Sequence, residues 1–488
     1  MELESPTMLK KRAKKALLWS SIDFLLRQSL QFGVSIALAR MVAPAEFGVI
    51  AMLALFTGIA SAFVDSGLSS ALVHKRTVSH ADESTVFWFN CIVAVGFALL
   101  LVALAPSLAL FFHEPILLPL TRVLAFDVVI RGVGSVQGTL LDKQLNFKTH
   151  TKVGAIASIT SGTVAMWMAW QGFGVWALAA QMLVRSAVTT LMLWLLCAWR
   201  PQFIFSTLSA RRLFRFGGYL LASALLDISY NRLYTLLIGR LYGARELAFY
   251  NQADTTKQLP VGVLTGILGR VAFPLFSAAA HDPGYLRKGV RLSLRAMMLL
   301  NAPMMCGLAA VSKPLILFLF GPRWLPASSF LQILAIAGMF WPLHVINLNV
   351  LMAQGHSHVF FRLEIAKKVI GVLLLMFGAF YGPMGIAWSQ AIFGPLAFVI
   401  NARYSKKFLG YGVYDQLRDF FPLLAVSIVM AGAVYYIGSR LNGLSDGLQL
   451  GAEIAAGFFL FLALGWALRL SALRDVVDFF RKNMAPAI

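Results

Sequence analysis

The chain has 488 residues, of which 59% are hydrophobic and 13% charged, and its formal net charge is +21. Soluble globular domains carry roughly 45–50% apolar and about 25% charged residues, so the composition excludes a soluble enzyme or binding module as the main body. The basic balance does not indicate nucleic acid, because Lys and Arg sit in short clusters between apolar runs, as the positive-inside rule produces.

The opening segment MELESPTMLKKRAKK is polar and basic, and the apolar run after it has no small-residue cleavage site. This reads as a cytoplasmic tail over 1–15 and not as a signal peptide. Apolar runs then recur at about the 20-residue length of a membrane-crossing helix. They predict an all-α integral membrane protein with about fourteen transmembrane helices. The predicted helices lie near 16–40, 46–66, 85–105, 117–138, 153–171, 174–196, 216–240, 247–273, 293–312, 326–354, 362–381, 383–402, 420–438 and 449–469.

Placing the N-terminus in the cytoplasm puts about 29 Lys and Arg in cytoplasmic segments and 6 outside, a bias that sets the orientation and puts both termini inside. The inside set includes Lys75, Lys143, Arg200, Arg211, Arg212, Arg215, Arg291, Arg295 and Lys367; the outside set is Arg40, Arg240, Arg245, Lys313, Arg323 and Arg440.

The chain also repeats. Arg40 and Glu46 recur as Arg240 and Glu246, six apart in both copies, and Arg12 and Lys15 recur as Arg212 and Arg215. Both copies follow an even number of spans, which predicts two six-helix bundles related by an axis along the membrane normal. The resulting division is an N-terminal lobe at 16–200, a C-terminal lobe at 201–418, two additional helices at 419–470 and a cytoplasmic tail at 471–488.

Charges deep in apolar runs cost about 2.5–3.5 kcal/mol each on insertion scales and usually face a bundle interior or a wet cavity. The cationic set is Arg27, Arg122, Arg131, Arg185, Arg232, Lys257 and Arg270, and the anionic set is Asp23, Asp65, Asp127, Asp227 and Asp254. Nearly all lie in the first eight helices; the second half is cleaner, with Glu364 marginal. Asp23–Arg27 and Asp127–Arg131 are i,i+4 pairs and share a helix face. Asp227–Arg232, at i,i+5, needs a distorted turn or partners on other helices. Such pairs either neutralise each other so that the helix can insert or line a central cavity. A surplus of Arg suits an anionic head group, because the planar guanidinium binds two phosphate oxygens at once. The carboxylates Asp23, Asp127, Asp227 and Asp254 are candidates to bind a coupling H⁺ or Na⁺.

Tyr230, Asn231 and Tyr234 flank Arg232 and suit sugar rings and hydroxyls, or else hydrogen-bond neighbouring helices. Trp88, Trp167, Trp170, Trp176, Trp324 and Trp388 lie near helix ends and read as interface anchors. Cys91, Cys197 and Cys306 form no ligand pattern and read as packing residues. The sequence has no GxxxxGK[ST] loop, no HExxH, no nucleophile elbow and no metal-spaced cluster.

Several segments carry a family likeness: Leu38-Ala39-Arg40-Met41-Val42-Ala43-Pro44-Ala45-Glu46-Phe47-Gly48, Asp65-Ser66-Gly67-Leu68, Trp88-Phe89-Asn90, Lys143-Gln144-Leu145-Asn146-Phe147, Phe273-Pro274-Leu275-Phe276 and Phe320-Gly321-Pro322-Arg323-Trp324. In order and spacing they resemble the Wzx-type oligosaccharide flippases of the multidrug/oligosaccharidyl-lipid/polysaccharide exporter superfamily, in particular exporters of colanic acid or xanthan type. The resemblance implies two six-helix lobes around a V-shaped cavity plus two extra helices. It implies movement of an undecaprenyl-pyrophosphate-linked repeat unit from the cytoplasmic to the periplasmic leaflet of a bacterial inner membrane, for exopolysaccharide or O-antigen synthesis. Alternating access driven by an ion gradient would power this, with no enzymatic step and no cofactor beyond the ion. The implied partners are the lipid-linked oligosaccharide and membrane lipid, with a polymerase of the same pathway as a candidate. The family carries no strict site signature, so the residue assignments rest on the buried charges alone. The alternative on the same fold is a cation-coupled multidrug exporter, which would favour a carboxylate-lined cavity. A membrane polymerase or ligase is disfavoured, because the longest outside loops are only about 10–15 residues.

Overall fold

The structure is a computed structural model that describes residues 26–470 apart from 66, 67, 76, 77, 280, 281 and 442. The described residues form helices and their connections, with no strand among them. In chain order the helices are α1 (26–41), α2 (Pro44–Asp65), α3 (Leu68–His74), α4 (His80–Phe112), α5 (Leu117–Lys143), α6 (Phe147–Trp170), α7 (Val175–Leu196) and α8 (Thr207–Ala278). There follow α9 (Pro283–Ala310), α10 (Ser312–Phe320), α11 (Ala327–Met339), α12 (Trp341–Ala353), α13 (Ser357–Ala379), α14 (Gly382–Leu409), α15 (Val413–Arg440) and α16 (Asp446–Ala467).

Every expected span falls on a helix, the first over its described part, and the differences have local causes. The seventh and eighth expected spans run together as α8, interrupted only at Gly243, whose φ of 85° and ψ of 177° break the helix. Glycine adopts that left-handed φ without a Cβ penalty. The expected span 326–354 divides into α11 and α12 at Phe340. Pro342, in the first turn of α12, has no N–H to continue the ladder. Helix α4 starts before the expected residue 85, because Ser79 and Asp82 form a capping box. It also runs through Pro106 to Phe112, as membrane helices tolerate. The short helices α3 and α10 were not expected.

Nine helical stretches among the described residues are long and apolar enough to cross a membrane. Helices α5, α8 and α13 carry charges along their length, such as Arg131, Lys257 and Lys367. Large apolar side chains point outward along the bundle, including Leu99, Phe126, Leu195, Phe377 and Phe459. Contiguous apolar surface on this scale is not sustained in water. The chain is a multi-pass membrane protein.

The chain parts into two compact units, Met1–Ala248 and Phe249–Ile488. The sequence repeat places its boundary earlier, at 200/201; by packing, the first half of α8 goes with the first unit. In the first unit α6 packs along α7, and α5 packs along both α4 and α7 through small residues that let backbones approach. Gly132 faces Ala94, and Gly134 faces Thr190. The second unit holds one large core, in which Met298, Leu343, Phe398 and Phe420 are buried together. Helices α15 and α16 join that core by packing on α9 and on each other. Trp324 is not an interface anchor: it is 0% exposed and packs against Phe249 and Phe320.

Candidate functional site

In the first unit, α5 and α7 are laced by three hydrogen bonds. Ser186 Oγ donates to Asp127 Oδ1. Thr190 Oγ1 donates to the Ile130 carbonyl at 2.9 Å, and Trp194 Nε1 to the Val133 carbonyl at 3.0 Å. Donors four apart on one helix meet acceptors three apart on the other, as adjacent helical faces require. This ladder fixes Asp127, which is buried, and Asp127 accepts a 2.7 Å bond from Arg131 Nε. The expected i,i+4 pair therefore forms, with a third partner that sequence spacing did not reveal. The Arg131 side chain stays 39% exposed, so part of its guanidinium is available to another group.

Arg27, on α1, reaches the start of α6. Its Nη2 donates to His150 Nδ1 at 2.6 Å and to the His150 carbonyl at 2.9 Å. With Nδ1 accepting, the ring proton of His150 sits on Nε2, which lies 3.4 Å from Asp142 Oδ1. The guanidinium also lies over Gly154, where a Cβ would clash with it.

Arg185 precedes Ser186 on α7 and is half-buried. It makes no hydrogen bond or ion pair among the described residues. Among the described residues, the charges of Arg131 and Arg27, both of its own sign, reach it. A half-buried cation beside two others is costly unless an anion shares the space. Helices α1, α5 and α7 thus converge three arginines, against the carboxylates Asp127 and, through His150, Asp142.

The other expected site residues are dispersed. Arg232 makes no ion pair among the described residues, so the pairing with Asp227 does not form. Tyr234 is buried and meets Tyr230 edge-on, with ring centroids 6.5 Å apart, while Asn231 is exposed. In the second unit, Lys257 Nζ donates to Asp254 Oδ1 at 2.5 Å, and its stem packs on Gly338. Asp23 lies outside the described residues, as do the side chains of Arg270 and Asp65.

The second half is richer in buried charge than its sequence suggests. Lys367, expected in a cytoplasmic segment, is 1% exposed within α13, where its Nζ donates to Glu364 Oε1. His344 Nε2 lies 3.4 Å from the same nitrogen, and Asn401 Nδ2 is 2.9 Å from His344 Nδ1. Asp419 on α15 accepts two 2.7 Å bonds from Arg291, a 2.6 Å bond from Arg295 and a 2.7 Å bond from Tyr411. The expected helix at 293–312 starts after Arg291, whereas α9 starts at Pro283; Arg295 and Lys367 fall inside expected helices but count with the cytoplasmic basic residues.

Long lipid-facing helices with a half-buried arginine cluster between them define the class, a multi-pass membrane protein that holds cationic groups within its helices. Residues 37–329 match the family model described as polysaccharide biosynthesis protein, and the chain belongs to that family. It is 27% identical over 456 residues to the teichuronic acid biosynthesis protein TuaB of Bacillus subtilis (strain 168), covering 91% of this chain and 93% of TuaB. It is 26% identical to the succinoglycan biosynthesis transport protein ExoT of Rhizobium meliloti (strain 1021), covering 98% and 97% of the two chains. The lipopolysaccharide biosynthesis protein WzxC of Escherichia coli (strain K12) is 25% identical over 87% of each chain. The fold is that of a lipid II flippase, MurJ in an inward closed conformation, with a TM-score of 0.74 and 16% identity over 94% of this chain and all of that one. An inward-facing multidrug transporter of the MATE family matches with a TM-score of 0.63 and 16% identity, over 81% and 98% of the two chains.

Proposed function

We infer that the protein is a flippase for undecaprenyl-pyrophosphate-linked oligosaccharide repeat units, working in a bacterial inner membrane with both termini in the cytoplasm. It carries its cargo from the cytoplasmic to the periplasmic leaflet for exopolysaccharide or O-antigen synthesis. The single observation that carries this reading is the pair Arg131 and Arg185 on the laced helices α5 and α7: Arg185 is half-buried next to Ser186, which donates to the same Asp127 that holds the part-exposed Arg131. Membership of a polysaccharide biosynthesis family supports the sugar cargo, and the name of ExoT supports transport.

In this reading Arg27, Arg131 and Arg185 hold the pyrophosphate. Arginine forks match its oxygens in pairs and stay charged at any working pH. Arg232 and Arg270, with Tyr230, Asn231 and Tyr234, serve the remainder of the head group and the sugar. Lys257, held by Asp254 in the second unit, is a further candidate for the anionic cargo. The movement is alternating access between two lobes, 16–200 and 201–418, with the helices at 419–470 as additions. The coupling ion is H⁺ or Na⁺. The ion, bound at Asp127 or Asp254, weakens that carboxylate's hold on Arg131 or Lys257 and makes the cation available to phosphate. Asp23 and Asp227 are the further coupling candidates, and the pathway's polymerase is the proposed partner.

An organic-cation exporter would need carboxylates without arginine partners, and the α1–α5–α7 set has the opposite balance. The discriminating experiment reconstitutes the protein in vesicles and follows two cargoes. Transfer of a fluorescent pyrophosphate-linked sugar lipid, with no efflux of ethidium, is expected; ethidium efflux without lipid transfer overturns the reading.

A further inference from the structure

A second feature of the first unit has no part in the arginine cluster. Between α2, α4 and α8 lies a cavity of about 300 Å³ whose walls carry no polar side chain. Phe63 closes it from α2, Phe89, Phe97 and Leu100 from α4, and Phe214 and Leu221 from α8. Phe63 and Phe97 meet with ring centroids 4.6 Å apart. Gly96 faces the same space, and a Cβ built there meets nothing within 4 Å. An apolar space of this kind suits hydrocarbon and not water.

The groove has a charged rim at one end. On α8, at about 100° per residue, Phe214, Gly218 and Leu221 share one face; Arg211 extends that face toward the helix start, and Arg215, one turn on from Arg211, lies on its flank about a quarter-turn away. Arg212 projects away from it. All three arginines are exposed and make no ion pair among the described residues. The starts of α4 and α8 lie together, because the backbone N–H groups of Gln202 and Ser206 donate to Ser84 and Thr85 at 3.1 and 3.0 Å. The same end carries aromatics of the kind that mark the membrane–water boundary. Trp88 stacks on Phe203, with centroids 5.1 Å apart, and donates to the Gln202 carbonyl at 2.9 Å. The nearby carboxylate Asp82 is taken up by Lys75, at 2.6 Å, and does not compete for the rim.

Length decides the occupant. From Arg211 to Leu221 is about 15 Å along the helix, half of the roughly 30 Å hydrocarbon core and so the depth of one leaflet. The groove also shares no helix with the cluster on α1, α5 and α7. We propose that this groove is a binding site for one anionic phospholipid, its acyl chain lying between α2, α4 and α8 and its phosphate on Arg211 and Arg215. The lipid is a resident of the protein and not its cargo, and it splints the first half of α8 to α2 and α4.

The test is native mass spectrometry of the full-length protein released from nanodiscs holding equal amounts of phosphatidylglycerol and phosphatidylcholine. The protein is expected to retain phosphatidylglycerol preferentially. Arg211→Gln and Arg215→Gln each lower that preference by about 5-fold, while Arg212→Gln, which removes the same charge from the opposite face, leaves it unchanged. Gly96→Leu fills the groove and abolishes retention, and Leu100→Trp, at a half-exposed position, does the same by a second route. Gel filtration and a melting curve confirm that both variants are folded. Equal retention of the two lipids overturns the proposal. So does undiminished retention in both folded filling variants, or an equal effect of Arg212→Gln. Preference for an added polyprenyl phosphate over phosphatidylglycerol also overturns it, since the groove would then belong to the cargo.

Discussion

The carbonyl oxygen of Ala244 lies directly against Gly48, so close that a Cβ at position 48 would come well within 3.0 Å of it. The contact joins the two copies of the sequence repeat, since Gly48 ends the first copy's Arg-to-Glu segment and Ala244 belongs to the second. It also sits beside the break in α8 at Gly243. Because the opposing atom is backbone, no side-chain rotation relieves a substitution. Gly48→Ala is expected to cost about 1–3 kcal/mol through overpacking. Heat-induced aggregation of the detergent-solubilised protein should occur several degrees lower. Gly432→Ala, placed in open space on α15, should not lower that temperature.

Asp419 ties α9 to α15 through Arg291, Arg295 and Tyr411, and its side chain is 2% exposed. Removing a buried carboxylate leaves its cations uncompensated, at about 3–5 kcal/mol. Asp419→Ala should lower the melting temperature far more than Tyr411→Phe, which removes one hydrogen bond worth about 1–3 kcal/mol. Similar melting curves for the two variants would show that the ion pairs contribute little.

Lys367 and Glu364 form a second buried pair, with His344 beside the ammonium. Lys367→Met alone leaves Glu364 without its cation, and Glu364→Gln alone leaves Lys367 without its anion. The double variant removes both charges. It should be less destabilised than the sum of the singles by about 0.5–3 kcal/mol, the range for contacting residues. Strict additivity in thermal melts would contradict the pairing.

Most of the helical plan was legible in the sequence, because apolar runs near membrane length and alternating basic clusters are strong signals. The Asp127–Arg131 pair was legible for the same reason, since i,i+4 spacing fixes a shared face. What could not be read were contacts between helices remote in sequence, such as Ser186 on Asp127 or His150 on Arg27, because nothing local marks them. The burial of Asp419 was hidden by extent, because α15 begins earlier than its apolar run does, and that of Lys367 because a basic cluster at a helix start reads as cytoplasmic. Polar first turns can be buried when a neighbouring helix supplies the countercharge. Trp324 misled because tryptophan at a helix end usually marks the interface, whereas here two aromatic neighbours enclose it.

The most direct measurement is the transfer rate of a pyrophosphate-linked sugar lipid across reconstituted vesicles for Arg185 variants. Charge-assisted hydrogen bonds to phosphate are worth about 1.5–3 kcal/mol, or roughly 10- to 150-fold. Arg185→Gln should therefore slow transfer by at least about tenfold without lowering the melting temperature, because Arg185 has no carboxylate to leave unpaired among the described residues. Arg185→Lys should recover part of the loss, keeping the charge but not the two-pronged geometry. Full-rate transfer by a folded Arg185→Gln protein would contradict the account.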